Sequence, residues 1–190
     1  LTDRCFGSDD ALRGAYHDAE RGWPVRDERS IYERLCLEGF QSGLSWLTIL
    51  RKRPAFREAF AGFDPERVAR FNRRSVNRLL GDASIVRHRR KIESAIGNAR
   101  ATLALRGSDT PLEQLFWGSA AKRPVAAPRT HADRPAATAA SATLARQLRE
   151  HGFSFVGPTT VYAAMQACGV VNDHLASCPA RAAAERARRA

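Results

Sequence analysis

The chain has 190 residues, 44% hydrophobic content and a formal net charge of +11 at pH 7. That length fits a single unit, 1–190, of one domain or two small lobes on a shared core, and the apolar content is that of a globular protein. No apolar run approaches the ~20 residues of a membrane span, and the start LTDRCFGSDD lacks an export pattern, so a cytoplasmic protein without a membrane partner is expected.

Helix signals dominate in chain order. DERSIYERLCLEGF places Ile31, Leu35 and Cys36 on one face, with Gly39 as a stop. LSWLTILRKR follows as a second helix. In DPERVARF, Asp64 is a cap and Pro65 suits the first helical position. SVNRLL is expected to start under Ser75 and end before Gly81. IVRHRRKIESAIGNARATLAL reads as a long helix with Ile85, Ile92, Ile96 and Leu103 inward. Residues 118–140 hold three prolines and little apolar patterning, so they read as a surface connection. SATLARQLREHG runs from a Ser141 cap to Gly152, and TTVYAAMQACG is a short buried helix. Residues 181–190 read as a basic, flexible tail. No segment alternates with period two, so the expected class is all-α.

The charge is concentrated. Residues 51–106 hold fifteen Arg or Lys against five Asp or Glu. Such a stretch suits a polyanion, most simply nucleic acid. Arg and Ala richness from a GC-rich genome would produce the same count.

Three constellations carry chemistry. Cys5 and His17 lie near the start, His174 and Cys178 near the end. Cys2His2 is a tetrahedral zinc set, but the spacings Cys-x11-His and His-x3-Cys are not those of a finger, and two core histidines beside thiols are the alternative. In LEGFQSGLSW, Glu38 and Trp46 flank a turn marked by Gly39 and Gly43. A carboxylate beside an indole face is a receptor for a flat cation, or a structural Glu beside a core Trp. In GFSFVGPTTVYAA, Gly157 before a helix start at Thr159 or Thr160 leaves amide N–H groups free for a phosphate, or is a plain connection.

Together these pieces resemble the bacterial 3-methyladenine DNA glycosylase I family. The resemblance rests on AYHDAERG, LCLEGFQSGLSWLTILRKR, FREAFAGFDPERVA, IVRHRRKIESAIGNAR, HGFSFVGPTTVYAAMQACGVVNDH and the trailing Cys178, in that order. It implies a helix-hairpin-helix glycosylase fold and one structural zinc per chain, held by Cys5, His17, His174 and Cys178, leaving Cys36 and Cys168 as buried thiols. It implies a pocket for an extruded base lined by Tyr16, Glu38 and Trp46, with Glu38 as the catalytic carboxylate. It implies that the turn Gln41, Ser42, Gly43, Leu44 enters the duplex, and that Val156, Gly157, Thr159 and Thr160 grip its backbone. The implied partner is double-stranded DNA containing alkylated purine, and the implied state is a monomer. Asp173 reads as structural. The sequence departs from the family pattern at Phe6, Arg13 and Arg21, where aromatic rings, usually Trp at the first, are the rule. Two alternatives follow: another alkylpurine as substrate, or a zinc-stapled DNA-binding module without catalysis.

Overall fold

The computed structural model describes residues 4–6, 9–121 and 125–189, and among them the chain is helical with no strand. Helix α1 (Ala11–Ala19) starts where Asp10 accepts from the Leu12 and Arg13 amides. Helix α2 (Glu28–Gln41) starts under Asp27. Gly39 does not stop it. The helix continues through the glycine, where an added Cβ would meet the Phe155 Cβ at 3.6 Å, an ordinary contact. The break falls at Ser42–Ser45, where Gly43 takes a φ of 81° that other residues adopt only at a cost. Helix α3 (Trp46–Ala59) then begins under a Ser45 cap, so Glu38 and Trp46 stand on separate helices across a turn, as expected.

Asp64 and Pro65 open α4 (Pro65–Ala69) as expected. Two expected caps are displaced by three residues. Asn72, not Ser75, caps α5 (Arg73–Gly81), and Thr138, not Ser141, caps α8 (Ala139–Glu150). In both cases the serine is the third helical residue and its hydroxyl answers the cap's own N–H, a reciprocal box. Helix α6 (Arg89–Arg106) begins under His88, so Ile85 precedes it, and Leu105 rather than Leu103 is buried. Helices α1 and α7 (Leu112–Gly118) carry no expectation from the sequence. The 118–140 connection holds only a short 3-10 turn, His131–Asp133, before α8 begins at Ala139; positions 122–124 lie outside the described residues.

Helix α9 (Pro158–Ala167) follows the hairpin 151–157. The flexible tail expected at 181–190 is instead helical in its described part, α10 (Ala180–Arg189). Its alanines favour helix, Ala184 is wholly buried, and Glu185 pairs with Arg188 at 3.1 Å and Arg189 at 2.9 Å.

One hydrophobic cluster joins residues from Ile31 to Val170. Helix α6 packs on α2, α4, α5 and α7, while α9 packs on α8 and α2. Phe40, Phe56, Phe60 and Phe63 are fully buried at its centre, each contributing roughly 1.5–3 kcal/mol. Cys36 and Cys168 are buried thiols, and burial pushes both up, which leaves them inert. No helix of the described residues is long and apolar enough to cross a membrane.

Candidate active site and metal centre

Helix α1 serves two sites with consecutive residues. Successive helical side chains diverge by about 100°, so Tyr16 faces α3 while His17 faces the chain ends. Ion pairs fix the helix on α3: Asp10 to Arg51 at 3.1 Å and Glu20 to Arg53 at 2.6 Å.

At the first site the Tyr16 and Trp46 rings lie 5.3 Å apart, tilted by 53°. Glu38 comes from the last turns of α2 and is 7% exposed. Burial pushes its carboxyl up to about 8, with the Arg21 charge pulling back. Burial, then the Glu38 charge, raises the Tyr16 hydroxyl, so it stays protonated and able to donate. Among the described residues no hydrogen bond reaches the Glu38 carboxyl, and the buried Trp46 Nε1–H has no acceptor. Buried donors are almost always satisfied, so the indole N–H beside a carboxyl without a hydrogen bond suits a place where a ligand completes the structure.

The departures from the family pattern meet at Phe6. The Arg13 guanidinium lies 4.7 Å and that of Arg21 5.3 Å from the Phe6 ring centre, and Phe6 meets Tyr16 edge-on at 6.5 Å. Arg13 also pairs with Asp9 at 2.9 Å. Both cations therefore stack on the outer aromatic ring.

At the second site, the donor atoms of Cys5, His17, His174 and Cys178 all lie within 4.8 Å of one another, and all four residues are buried. The sulfur-to-nitrogen separations are 3.4 and 3.5 Å from Cys5, and 3.3 and 3.5 Å from Cys178. A tetrahedral ion with bonds of about 2.3 Å to sulfur and 2.0–2.1 Å to nitrogen requires edges of about 3.5 Å. The donor set therefore fits such an ion. Each imidazole is oriented from behind: His17 Nδ1 lies 2.8 Å from Asp18 Oδ1, and His174 Nε2 lies 2.9 Å from the Arg21 carbonyl. Ring N–H groups held by a carboxylate or carbonyl are the usual support of ligating histidines. Arg4 holds Asp18 in turn at 2.7 Å. Burial raises the Cys5 thiol, but hydrogen bonds with His17 and His174 overcome it and bring the group to about 4.

Of the turn, Gln41 is half-buried while Ser42, Gly43 and Leu44 are exposed. Across from it, α9 starts at Pro158 rather than at either threonine, with Gly157 as its cap. No side chain caps this end, which leaves the Thr159 and Thr160 amides pointing outward. The Val156 side chain is buried in the core, so that residue offers only backbone to a partner. Asp173 accepts from Tyr162 Oη at 2.7 Å and from Gln166 Nε2.

Much of the charge in 51–106 is spent inside the protein. Arg57 pairs with Glu33, and Arg106 with Glu28 and Glu66. Lys52, Arg78, Lys91 and Arg100 donate to backbone carbonyls. Arg67, Arg70, Arg73, Arg74, Arg87 and Arg90 remain exposed.

A family model described as methyladenine glycosylase matches residues 6–182. The chain belongs to that family. DNA-3-methyladenine glycosylase 1 of Escherichia coli (strain K12) is 45% identical over 178 residues, 93% of this chain and 95% of the relative. A crystal structure of a 3-methyladenine DNA glycosylase I superposes with a TM-score of 0.89 at 44% identity, covering 93% of this chain and 98% of that one. A variant 3-methyladenine DNA glycosylase I solved in complex with 3-methyladenine also gives 0.89, at 32% identity over 95% of this chain and 98% of that one. For a methyladenine glycosylase, sequence reasoning passes over Asp18 and Arg4 behind His17, and over Lys91, Ser94 and Asn98 on the buried side of α6. Polar residues at i, i+3 and i+7 amid a helix's apolar face were the available signal.

Proposed function

We propose that this protein is a monofunctional DNA glycosylase that removes 3-methyladenine from duplex DNA, leaving an abasic site. The observation that carries this reading is the trio of buried Tyr16, buried Glu38 and half-buried Trp46, with no hydrogen bond to the carboxyl and an unpartnered indole N–H. A base inside a duplex cannot reach such a pocket, so it must be extruded. The exposed turn with Leu44 is suited to fill the gap left behind, and the free amides of Thr159 and Thr160 to hold a phosphate at the α9 N-terminus. One chain carries the whole trio, which supports action as a monomer.

Selectivity follows from Glu38. With its carboxyl pushed up to about 8, it is mostly neutral at pH 7 in the empty pocket. A base alkylated at N3 is a cation and restores the ionised form, whereas neutral adenine does not. Trp46 offers the stacking face and Tyr16 a donor hydroxyl. The leaving group is already activated: the glycosidic bond breaks, its electron pair neutralises the base, and water adds to the sugar carbon with loss of a proton. Glu38 is the proposed catalytic residue, acting on the charge of the bound base.

Zinc is the proposed ion for Cys5, His17, His174 and Cys178, and four protein ligands make it a structural cross-link without an open position. It would hold the two chain ends together beneath α1.

A second reading keeps the reaction and changes the lesion. Arg13 and Arg21 stacked on Phe6 place positive charge beside the pocket, which favours a bulkier or less charged alkylpurine. Incubation with methylated duplex DNA and identification of the freed bases decides. Release of 3-methyladenine, abolished in Trp46→Ala, supports the first reading. Release of other adducts alone supports the second, and binding without release supports a DNA-binding module.

A further inference from the structure

Helix α6 bears a row of polar groups where its face is buried. Lys91 is 9% exposed, Ser94 7% and Asn98 3%. The Lys91 ammonium donates to the Phe40 carbonyl at 3.0 Å and the Ser42 carbonyl at 2.5 Å, which are the last carbonyls of α2 and the first of the turn. No carboxylate pairs with it among the described residues. Burial pulls its amine below the usual lysine value. Seven residues on, Asn98 holds Ser154 of the hairpin from both sides: its Nδ2 donates to the Ser154 carbonyl at 3.1 Å and its Oδ1 accepts from the Ser154 N–H at 2.9 Å. Ser94 adds a bond to the same carbonyl at 3.0 Å and one to the Ser154 hydroxyl at 2.8 Å.

Three further facts set this row apart from ordinary packing. The first turn of α6 contains Arg89, Arg90 and Lys91 and no acid, so a buried cation sits at the end of the helix dipole that disfavours it. A local rule broken at some cost marks a position selected for another reason. Next, the hairpin residue that follows Ser154, Phe155, adopts a φ of 55° and rests on Gly39, so the last turns of α2, which lead into the turn, also touch the hairpin directly. Last, the space between α2, α6 and the hairpin is only about 10 Å³. That is no more than a single water needs, so the row transmits position through direct contacts.

We propose that Lys91, Ser94 and Asn98 are positioning residues that fix the separation of the duplex-entering turn 41–44 from the backbone-gripping hairpin 152–157. Along α6 the row spans about 10 Å, at 1.5 Å per residue. The inference rests on the function proposed for the two loops and adds what holds them in register. Lys91 anchors the turn through its carbonyls, leaving Leu44 free to enter the duplex. Asn98 and Ser94 anchor the hairpin, leaving the α9 amides free for phosphate. Extrusion of a base needs both loops to act on one duplex at once, so loss of the register harms duplex substrates and spares the pocket itself.

The test measures kcat/KM for 3-methyladenine release by the wild type and by Lys91→Met, Lys91→Arg and Asn98→Ala. Each acts on a methylated duplex and on the same methylated strand alone. Binding of free 3-methyladenine, read by Trp46 fluorescence, reports an intact pocket. Lys91→Met and Asn98→Ala should each lose about tenfold or more on the duplex, the worth of one buried charged or bidentate contact. Release from the single strand and free-base affinity should stay within about threefold. Lys91→Arg, which keeps donors for both carbonyls, should recover most of the duplex rate. Equal losses on both substrates, loss of free-base binding in every variant, or an unchanged duplex rate would each overturn the register role while leaving the glycosylase reading intact. A wild type that releases no 3-methyladenine from either substrate overturns both.

Discussion

Tyr16 and His17 are neighbours on one helix, yet they serve regions of opposite character. Around His17 every polar group has a partner: two thiols face two imidazoles, and each imidazole is held from behind by Asp18 or the Arg21 carbonyl. Around Tyr16 the polar groups are left over: the buried Trp46 N–H has no partner, and no hydrogen bond reaches the carboxyl of buried Glu38 among the described residues. The first region is complete once an ion is added and has nothing left to offer a substrate. The second is unfinished, at a cost of roughly 1–3 kcal/mol for each stranded group. Saturation marks the site that stabilises, and deficiency marks the site that binds.

The largest expected effect breaks the saturated region. Cys178→Ser should remove the ion and cost about 3–5 kcal/mol of stability, the upper range for one substitution. Metal analysis and thermal unfolding check this. Because Tyr16 follows His17 on α1, base release should fall with it; full stability in the variant would dismiss the cross-link.

The next effect reads the deficient region through pH. Burial pushes the Glu38 carboxyl up to about 8 in the folded state, from an ordinary 4.5. The folded state therefore holds this proton longer than the unfolded chain, and stability falls as pH rises between those values and levels off above. Glu38→Gln removes the penalty. The variant should gain on the order of 2–4 kcal/mol over the wild type at pH 8 and little at pH 4.5. Denaturant unfolding at both pH values measures it, and a constant difference would mean that Glu38 is not starved of partners.

Smaller losses sharpen the contrast. Trp46→Ala should lower kcat/KM by about 10- to 100-fold through lost base stacking, worth roughly 1–3 kcal/mol, with stability changed far less. Smallest is the salt dependence of DNA affinity. Exposed Arg90 should carry about one unit of the log–log slope, so Arg90→Ala flattens it, whereas Arg100→Ala, whose guanidinium is tied to the Ala69 and Phe71 carbonyls, should leave the slope unchanged.

Local signals in the chain were readable where one segment supplied both partners. Asp64 with Pro65, or the break between Glu38 and Trp46, needed no knowledge of distant residues. Serines at 75 and 141 misled by three residues because a capping box is reciprocal, and either member reads as the cap. Helix α10 was hidden by its charge, which reads as solvated until Glu185 is seen to gather Asn172, Arg188 and Arg189. The four metal-binding candidates were visible as residue types, but only the resemblance joined termini more than 150 positions apart. The register row on α6 shows in the sequence only as polar residues at i, i+3 and i+7 of an apolar face; Lys91 lies in a basic run, and nothing local distinguishes an ammonium bound to carbonyls from one facing phosphate.

Direct observation of the bound base tests the central claim. Soaked or co-crystallised 3-methyladenine should lie against the Trp46 ring with a Glu38 oxygen at hydrogen-bond distance. A cavity of about 770 Å³ lined by Tyr162, Met165 and Val170 offers a competing place that includes none of the trio. A base found there, with Glu38 and Trp46 still unpartnered, would contradict the account.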